Sequence, residues 1–154
     1  MNWLEHRIPP PLVAALCGLL MWLAARQWPA AVELSLAWRL GMALPLALLG
    51  VVVCLAGVLS FHRARTTVNP LKPQSASALV DSGVYRYTRN PMYLGFALVL
   101  LAWALFLAWP AAVLGVVAFV LYLNRFQIGP EERALDRLFG EDFARYCAQV
   151  RRWL

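Results

Sequence analysis

Charge is scarce in this chain: 14% of its 154 residues are charged, against 62% that are apolar. Fourteen basic and eight acidic residues cannot cover the solvated surface of a soluble domain of this size, which argues against soluble enzymes and DNA-binding domains. The net charge of +6 and pI near 9.8 do not restore the nucleic-acid reading, because cytoplasmic loops of a membrane protein collect the same excess of Lys and Arg. Histidine is nearly absent: His6 and His62 each stand near the end of an apolar run, and no metal site is implied. The three cysteines, Cys17, Cys54 and Cys147, form no CxxC or Cys/His cluster, so neither a disulfide scaffold nor a zinc site is supported. Acids are missing from the apolar runs altogether. Before residue 131 there are only Glu5, Glu33 and Asp81, and all three lie outside the runs.

What the chain has in abundance is hydrophobic length, with seven Trp and a mean hydropathy of +0.62. Charge-free intervals cover residues 8–25, 40–61 and 90–124. At 1.5 Å per residue the third would stretch about 52 Å as one helix, beyond a hydrocarbon core of about 30 Å, so it is expected to fold back. Trp109-Pro110 near its middle marks the reversal, since proline cannot continue a helix but suits the first turn of a new one. The expectation is an all-α integral membrane protein of four spans, near 10–27, 38–61, 92–108 and 110–126, the last two a tight hairpin, in a single membrane domain covering 1–154. Pro9, Pro10 and Pro11 open the first span and Pro45 bends the second. The first segment reads as a retained anchor: Glu5 balances Arg7, no clear cleavage site precedes Arg26, and bulky Leu16 before Cys17 argues against a lipoprotein signal.

Twelve basic residues fall on one side of this arrangement and two, Arg26 and Arg39, on the other. The positive-inside rule then places both termini and a loop at 62–91 in the cytoplasm. That loop, with Pro70, Pro73 and a Ser/Ala stretch, reads as extended chain against the membrane. Residues 131–153 read as amphipathic helices on the same side. After Gly129-Pro130 one helix groups Leu135, Leu138 and Phe139; after Gly140 another groups Phe143, Tyr146, Cys147, Val150 and Trp153.

Two polar clusters sit at membrane boundaries. The first runs from Gly83 through Tyr85, Arg89, Asn90, Pro91 and Tyr93 to Gly95. Pro91 suits the start of the third span, whose free amides and positive dipole end would receive an anionic group with help from Arg89. Gly95, one turn on, leaves room for a flat ring or another backbone. Tyr and Arg also gather at membrane interfaces for anchoring alone, and that reading stays open on spacing. The second cluster is Arg125 followed by Gly129-Pro130-Glu131-Glu132-Arg133. Acids in a first helical turn are favoured by the dipole, yet adjacent carboxylates point in different directions, so one can face inward while the other meets the surface or an Arg.

These stretches, G-x-Y-R-Y-x-R-N-P-M-Y-L-G at 83–95, E-E-R-A-L at 131–135, F-G-E-D-F-A-R-Y at 139–146 and R-R-W-L at 151–154, resemble in order the integral-membrane methyltransferases of the isoprenylcysteine carboxyl methyltransferase and phospholipid N-methyltransferase group. The resemblance covers roughly residues 60–154. It implies an S-adenosylmethionine site at the cytoplasmic ends of the last two spans, roofed by the C-terminal helices and open sideways to lipid. Arg89, Asn90, Tyr93 and Gly95 fall on the family's R-H-P-x-Y-x-G positions, and Glu131 and Glu132 on its Glu pair. Arg125 matches an arginine used near the reacting groups. By that likeness Tyr85 and Tyr93 wall the cofactor, Glu131 or Glu132 takes its ammonium or ribose hydroxyls, and Arg89 and Arg125 hold an anionic acceptor. Asn90 departs from the histidine of many relatives; it can donate to a carboxylate but cannot act as a general base near neutral pH. The implied acceptor is a lipophilic small molecule or prenylated compound in the membrane, with lipids as the other partners. A non-catalytic membrane partner of the same fold is the competing reading. A four-helix exporter fits less well, for want of a carboxylate within a span.

Overall fold

The computed structural model describes residues 5, 7–28, 32–64 and 78–154. Every regular element among them is helical. Helix α1 spans Pro10–Gln27, α2 spans Leu36–Arg63, and α3 spans Pro91–Leu107. Helix α4 covers Val113–Leu123 after a 3-10 turn at Pro110–Ala112, α5 covers Gly129–Phe139, and α6 covers Glu141–Gln149. Three helical runs are long and apolar enough to cross a membrane: Pro10–Gln27, Leu36–Arg63 and the continuous Pro110–Phe139; α3 is apolar but shorter. The apolar part of the long run is its first half, because charge resumes at Arg125 and recurs through α5. Leucines and valines of α1 and α2 project outward into the surroundings, as a membrane solvent requires.

Local chemistry explains most of the boundaries. Proline opens α1 and α3, where its missing N–H costs nothing. Ser35 caps α2 by accepting from Trp38 N at 3.5 Å, and Pro45 lies inside α2 without ending it. Ala108 takes a left-handed conformation at φ 52° to end α3, Trp109 is extended, and Pro110 starts the next run. Gly140, at φ 48° and ψ −118°, separates α5 from α6 in a conformation open only to glycine.

Three expectations are revised. Gly129-Pro130 does not separate a span from a cytoplasmic helix: the chain continues through it by a π turn at Asn124–Ile128, where Gly129 N–H reaches back to Asn124 O. Pro130 has no N–H for the ordinary bond, and widening the preceding turn absorbs the mismatch without breaking the helix. The last helix stops at Gln149, not 153; Val150 is extended, and Trp153 leaves the α6 face to pack on the membrane core. Leu138 is exposed, so only Leu135 and Phe139 of the proposed α5 stripe pack inward. Of the 62–91 loop, residues 65–77, with Arg65, Pro70, Lys72 and Pro73, lie outside the described residues, as does His6.

Packing forms two layers. Helix α3 leans on α2, α1 and α4, and Tyr93, Leu100, Phe119, Leu123 and Ile128 lie in the shared core. Its approach to α2 is closest at Gly95, where an added Cβ would stand 2.5 Å from Gly50 O and 2.7 Å from Cys54 Cβ. Small residues permit such backbone contact where lipid supplies no hydrophobic drive between helices. The second layer is a roof of Val80, Tyr85, Phe143, Tyr146 and Val150, with Phe61, Leu135 and Phe139 against it.

Candidate functional site

The site lies between the two layers. Pro91 starts α3 so that Arg89 and Asn90 sit at its mouth and Tyr93 one turn inside. The π turn and α5 bring Glu131 and Glu132 opposite, and the 3-10 turn at Gly83–Arg86 supplies Tyr85. Tyr85, Arg89, Asn90, Tyr93, Glu131 and Glu132 line one cavity of about 100 Å³, whose other walls include Phe61, Ile128 and Phe143.

The two glutamates divide as adjacent helical positions must. Glu131 turns inward, and its Oε1 accepts from Tyr93 Oη at 2.5 Å and from Gln127 Nε2 at 2.6 Å. It lies about two turns beyond Leu123, past the apolar stretch. Burial of its carboxyl raises the pKa to about 7, against the lowering effect of the Tyr93 and Gln127 hydrogen bonds. Glu132 faces cations instead: Arg89 Nη2 donates to its Oε1 at 2.9 Å, and Arg152 donates to both its oxygens. Arg89 Nη1 also donates to Cys147 O at 3.3 Å, whereas its buried Nε has no hydrogen-bond partner among the described residues.

The C-terminal residues tie this constellation together. Arg89 N donates to Arg151 O at 3.0 Å, and Thr88 Oγ1 and Asn90 Nδ2 donate to Arg152 O at 3.3 and 2.9 Å. Trp153 Nε1 then donates to Asn124 Oδ1 at 3.0 Å, joining the 88–90 turn to the π turn. In the roof, Tyr146 Oη donates to Tyr85 O at 2.8 Å, and Phe61 meets the Tyr85 ring edge-on at 5.4 Å. Burial pushes the Tyr85 and Tyr146 phenols and the Cys147 thiol up, so all three keep their protons at neutral pH.

Two expected residues are not brought here. Arg125 is 54% exposed and pairs with Glu5 at 3.4 Å, beside Arg133, which holds the same carboxylate at 2.8 Å. The π turn rotates it off the cavity face, leaving Gln127 and Glu131 to point inward. Gly95 meets the backbone of α2 rather than the cavity, so its missing side chain serves helix packing. Sequence reading missed Thr88, Gln127, Tyr146 and Arg152. A Gln four residues before an acid, the spacing of one helical turn, was a usable signal; the others depend on long-range contacts. Among the described residues no group of His, Cys, Asp and Glu could hold a metal ion, and all three cysteines are free.

Comparison with known proteins bears on this geometry. The phospholipid methyltransferase family profile matches residues 38–142, a stretch that holds both the 83–95 cluster and the Glu pair. The chain belongs to this family. It is 32% identical over 110 residues to the probable protein-S-isoprenylcysteine O-methyltransferase of Oryza sativa subsp. japonica, covering 70% of this chain and 56% of that protein. Protein-S-isoprenylcysteine O-methyltransferase B of Arabidopsis thaliana is 26% identical over 116 residues, covering 73% of this chain and 57% of its own length. An uncharacterized protein of Haemophilus influenzae is 51% identical over 63 residues, 41% of this chain and 100% of that protein. The chain thus spans little more than half the length of the plant relatives. No solved structure matches it.

Proposed function

We propose that this family member transfers a methyl group from S-adenosylmethionine to a lipophilic acceptor in the membrane, an isoprenylcysteine-like carboxylate or a lipid amine. The observation that carries the reading is the inward Glu131, held by Tyr93 and Gln127 in a cavity it shares with Arg89. The donor set fits the amino-acid end of the cofactor: a carboxylate for its ammonium, and the unpartnered Arg89 Nε with Asn90 for its carboxylate. Tyr85 and Tyr93 wall the remainder. When bound, S-adenosylmethionine supplies a methyl group activated on a positively charged sulfur. The chain's own part is to align and to keep dry: Phe61, Ile128, Leu135 and Phe143 exclude water from a site where charge is lost during transfer. Arg125, paired with Glu5, is not part of this reading.

We read the chain as four spans, the shorter apolar α3 joining the three longer runs and forming the hairpin with the run from Pro110, and both termini on the cytoplasmic side because Lys and Arg gather there. Isothermal titration of the purified protein with S-adenosylhomocysteine tests the reading, beside Glu131→Gln and Arg89→Ala. Saturable binding by the wild type, weakened about tenfold or more in both variants while each still unfolds cooperatively in detergent, is the expected outcome. A folded wild type that binds nothing in detergent or in lipid would overturn it and bring forward a non-catalytic partner.

A further inference from the structure

A second cavity, further along α3 than Tyr93 and sharing no lining residue with the first, has a different chemistry. It measures about 690 Å³ and is lined almost wholly by apolar side chains of α1, α2 and α3, among them Ala15, Trp22, Ala47, Phe96, Trp103 and Phe106. It exists because α1 and α2 both lean on α3 and hardly on one another. Along α3 it runs from Phe96 to Phe106, about 15 Å at the helical rise, which is the length of an extended chain of roughly a dozen carbons. Trp103 Nε1 is satisfied within the wall by Gly18 O at 3.0 Å, so no polar group inside asks for a polar ligand.

Two of its wall rings each carry a cation. Arg26, in the last turn of α1, lies 4.8 Å from the Trp22 ring, and Arg39, in the first turn of α2, lies 4.9 Å from the Phe106 ring. Both rings line the cavity. Arg39 is also anchored by donating Nε–H to Phe106 O. Among the described residues no carboxylate pairs with either arginine. These are the two basic residues that stand apart from the other twelve, so anchoring to the basic face does not explain them.

We propose that this cleft is a binding site for an anionic phospholipid of the leaflet at the α1–α2 end, one acyl chain lying between α1 and α2 and its phosphate between Arg26 and Arg39. Two cations at one end and an apolar channel of acyl length behind them match a lipid of that charge and shape. The lipid completes the packing that α1 and α2 leave open. The site is separate from the Glu131 cavity and does not depend on what that cavity binds.

Native mass spectrometry of the protein released from detergent tests this, with dioleoyl phosphatidylglycerol and dioleoyl phosphatidylcholine as competing probes. The wild type should retain one phosphatidylglycerol with a preference of about fivefold or more over phosphatidylcholine. Arg26→Gln with Arg39→Gln should abolish the preference, and Arg26→Gln alone, at an exposed position that leaves the Arg39 anchor intact, should reduce it. Ala15→Phe, at an exposed wall position, should lower retention of both lipids by filling the channel. Equal retention of the two lipids by the wild type, an unchanged preference in the double variant, or a lipid-free dimer filling the cleft with a second copy would each overturn the proposal.

Discussion

The phenol of Tyr93 donates to Glu131 Oε1 at 2.5 Å, linking the first turn of α3 to the start of α5 across the cavity. A hydrogen bond to a charged acceptor contributes about 1.5–3 kcal/mol and favours the ionised form. Tyr93→Phe therefore moves the Glu131 carboxyl further up and leaves less carboxylate to meet a cation at neutral pH. Affinity for S-adenosylhomocysteine at pH 7 should fall about tenfold with the fold intact, as read by titration calorimetry. Unchanged affinity would show that the pair is only a packing contact.

The pH dependence has a defined sign. Glu131 has a folded pKa raised to about 7, so it is mostly protonated at pH 6 and mostly ionised at pH 8. The phenols of Tyr85 and Tyr146 stay protonated across that range, and Glu132 is tied to Arg89 and Arg152. If the carboxylate receives the cofactor's ammonium, affinity should rise about tenfold from pH 6 to 8 and then level, one unit of pKa being worth about 1.4 kcal/mol. The stability of the empty protein should run the other way. The folded state holds a proton that the unfolded carboxyl gives up, so this contribution is full below about pH 4.5 and is lost as pH rises through about 7. Glu131→Gln should flatten both profiles.

What was legible in the sequence follows the range of the interaction. Proline at helix starts and the absence of charge over 18 or more residues act locally, and α1, α2 and α3 begin within two residues of where those signals put them. The split of the Glu pair was legible for the same reason, since neighbours on a helix diverge by geometry. Arg125 was not legible: a π turn adds a residue to the local repeat and swings its side chain to Glu5, 120 positions away. Val150 and Trp153 read as a continuing amphipathic face, yet the chain is extended from Val150 and its next carbonyls accept from the Thr88–Asn90 turn. Gly95 carried two physical readings, a ring or a backbone, and only the position of Gly50 decides between them.

That decision gives a stability test. A methyl at residue 95 would collide with Gly50 O and Cys54 Cβ, both on a helix that cannot give way without separating from α3. Gly95→Ala should destabilise by about 1–3 kcal/mol, the usual cost of overpacking. Gly41, in α2, has nothing within 4 Å of such a methyl. Gly41→Ala should be neutral or slightly stabilising, because alanine removes backbone freedom from the unfolded chain. Thermal unfolding of both variants in the same detergent checks the contrast; equal effects would mean that the α2–α3 contact is looser than 2.5 Å implies.

The ion pairs differ in the same way by setting. Glu132 stands between Arg89 and Arg152, with side-chain exposures of 20% for Glu132 and 15% for Arg89. Glu132→Gln leaves two guanidinium groups facing each other across a neutral amide and loosens the C-terminal residues from the 88–90 turn. A loss of about 1.5–3 kcal/mol is expected, as for hydrogen bonds to charged groups. The Asp142–Arg145 pair on α6 is 65% and 71% exposed, and water and salt screen it. Asp142→Asn should change stability by less than about 0.5 kcal/mol. The two variants also separate in function. Glu132→Gln frees Arg89 to leave the cavity wall, so S-adenosylhomocysteine affinity should drop with stability, whereas Asp142→Asn should leave both unchanged. Loss of stability without loss of affinity in Glu132→Gln would place Arg89 outside the cofactor's contacts and leave Asn90 as the group that holds the carboxylate.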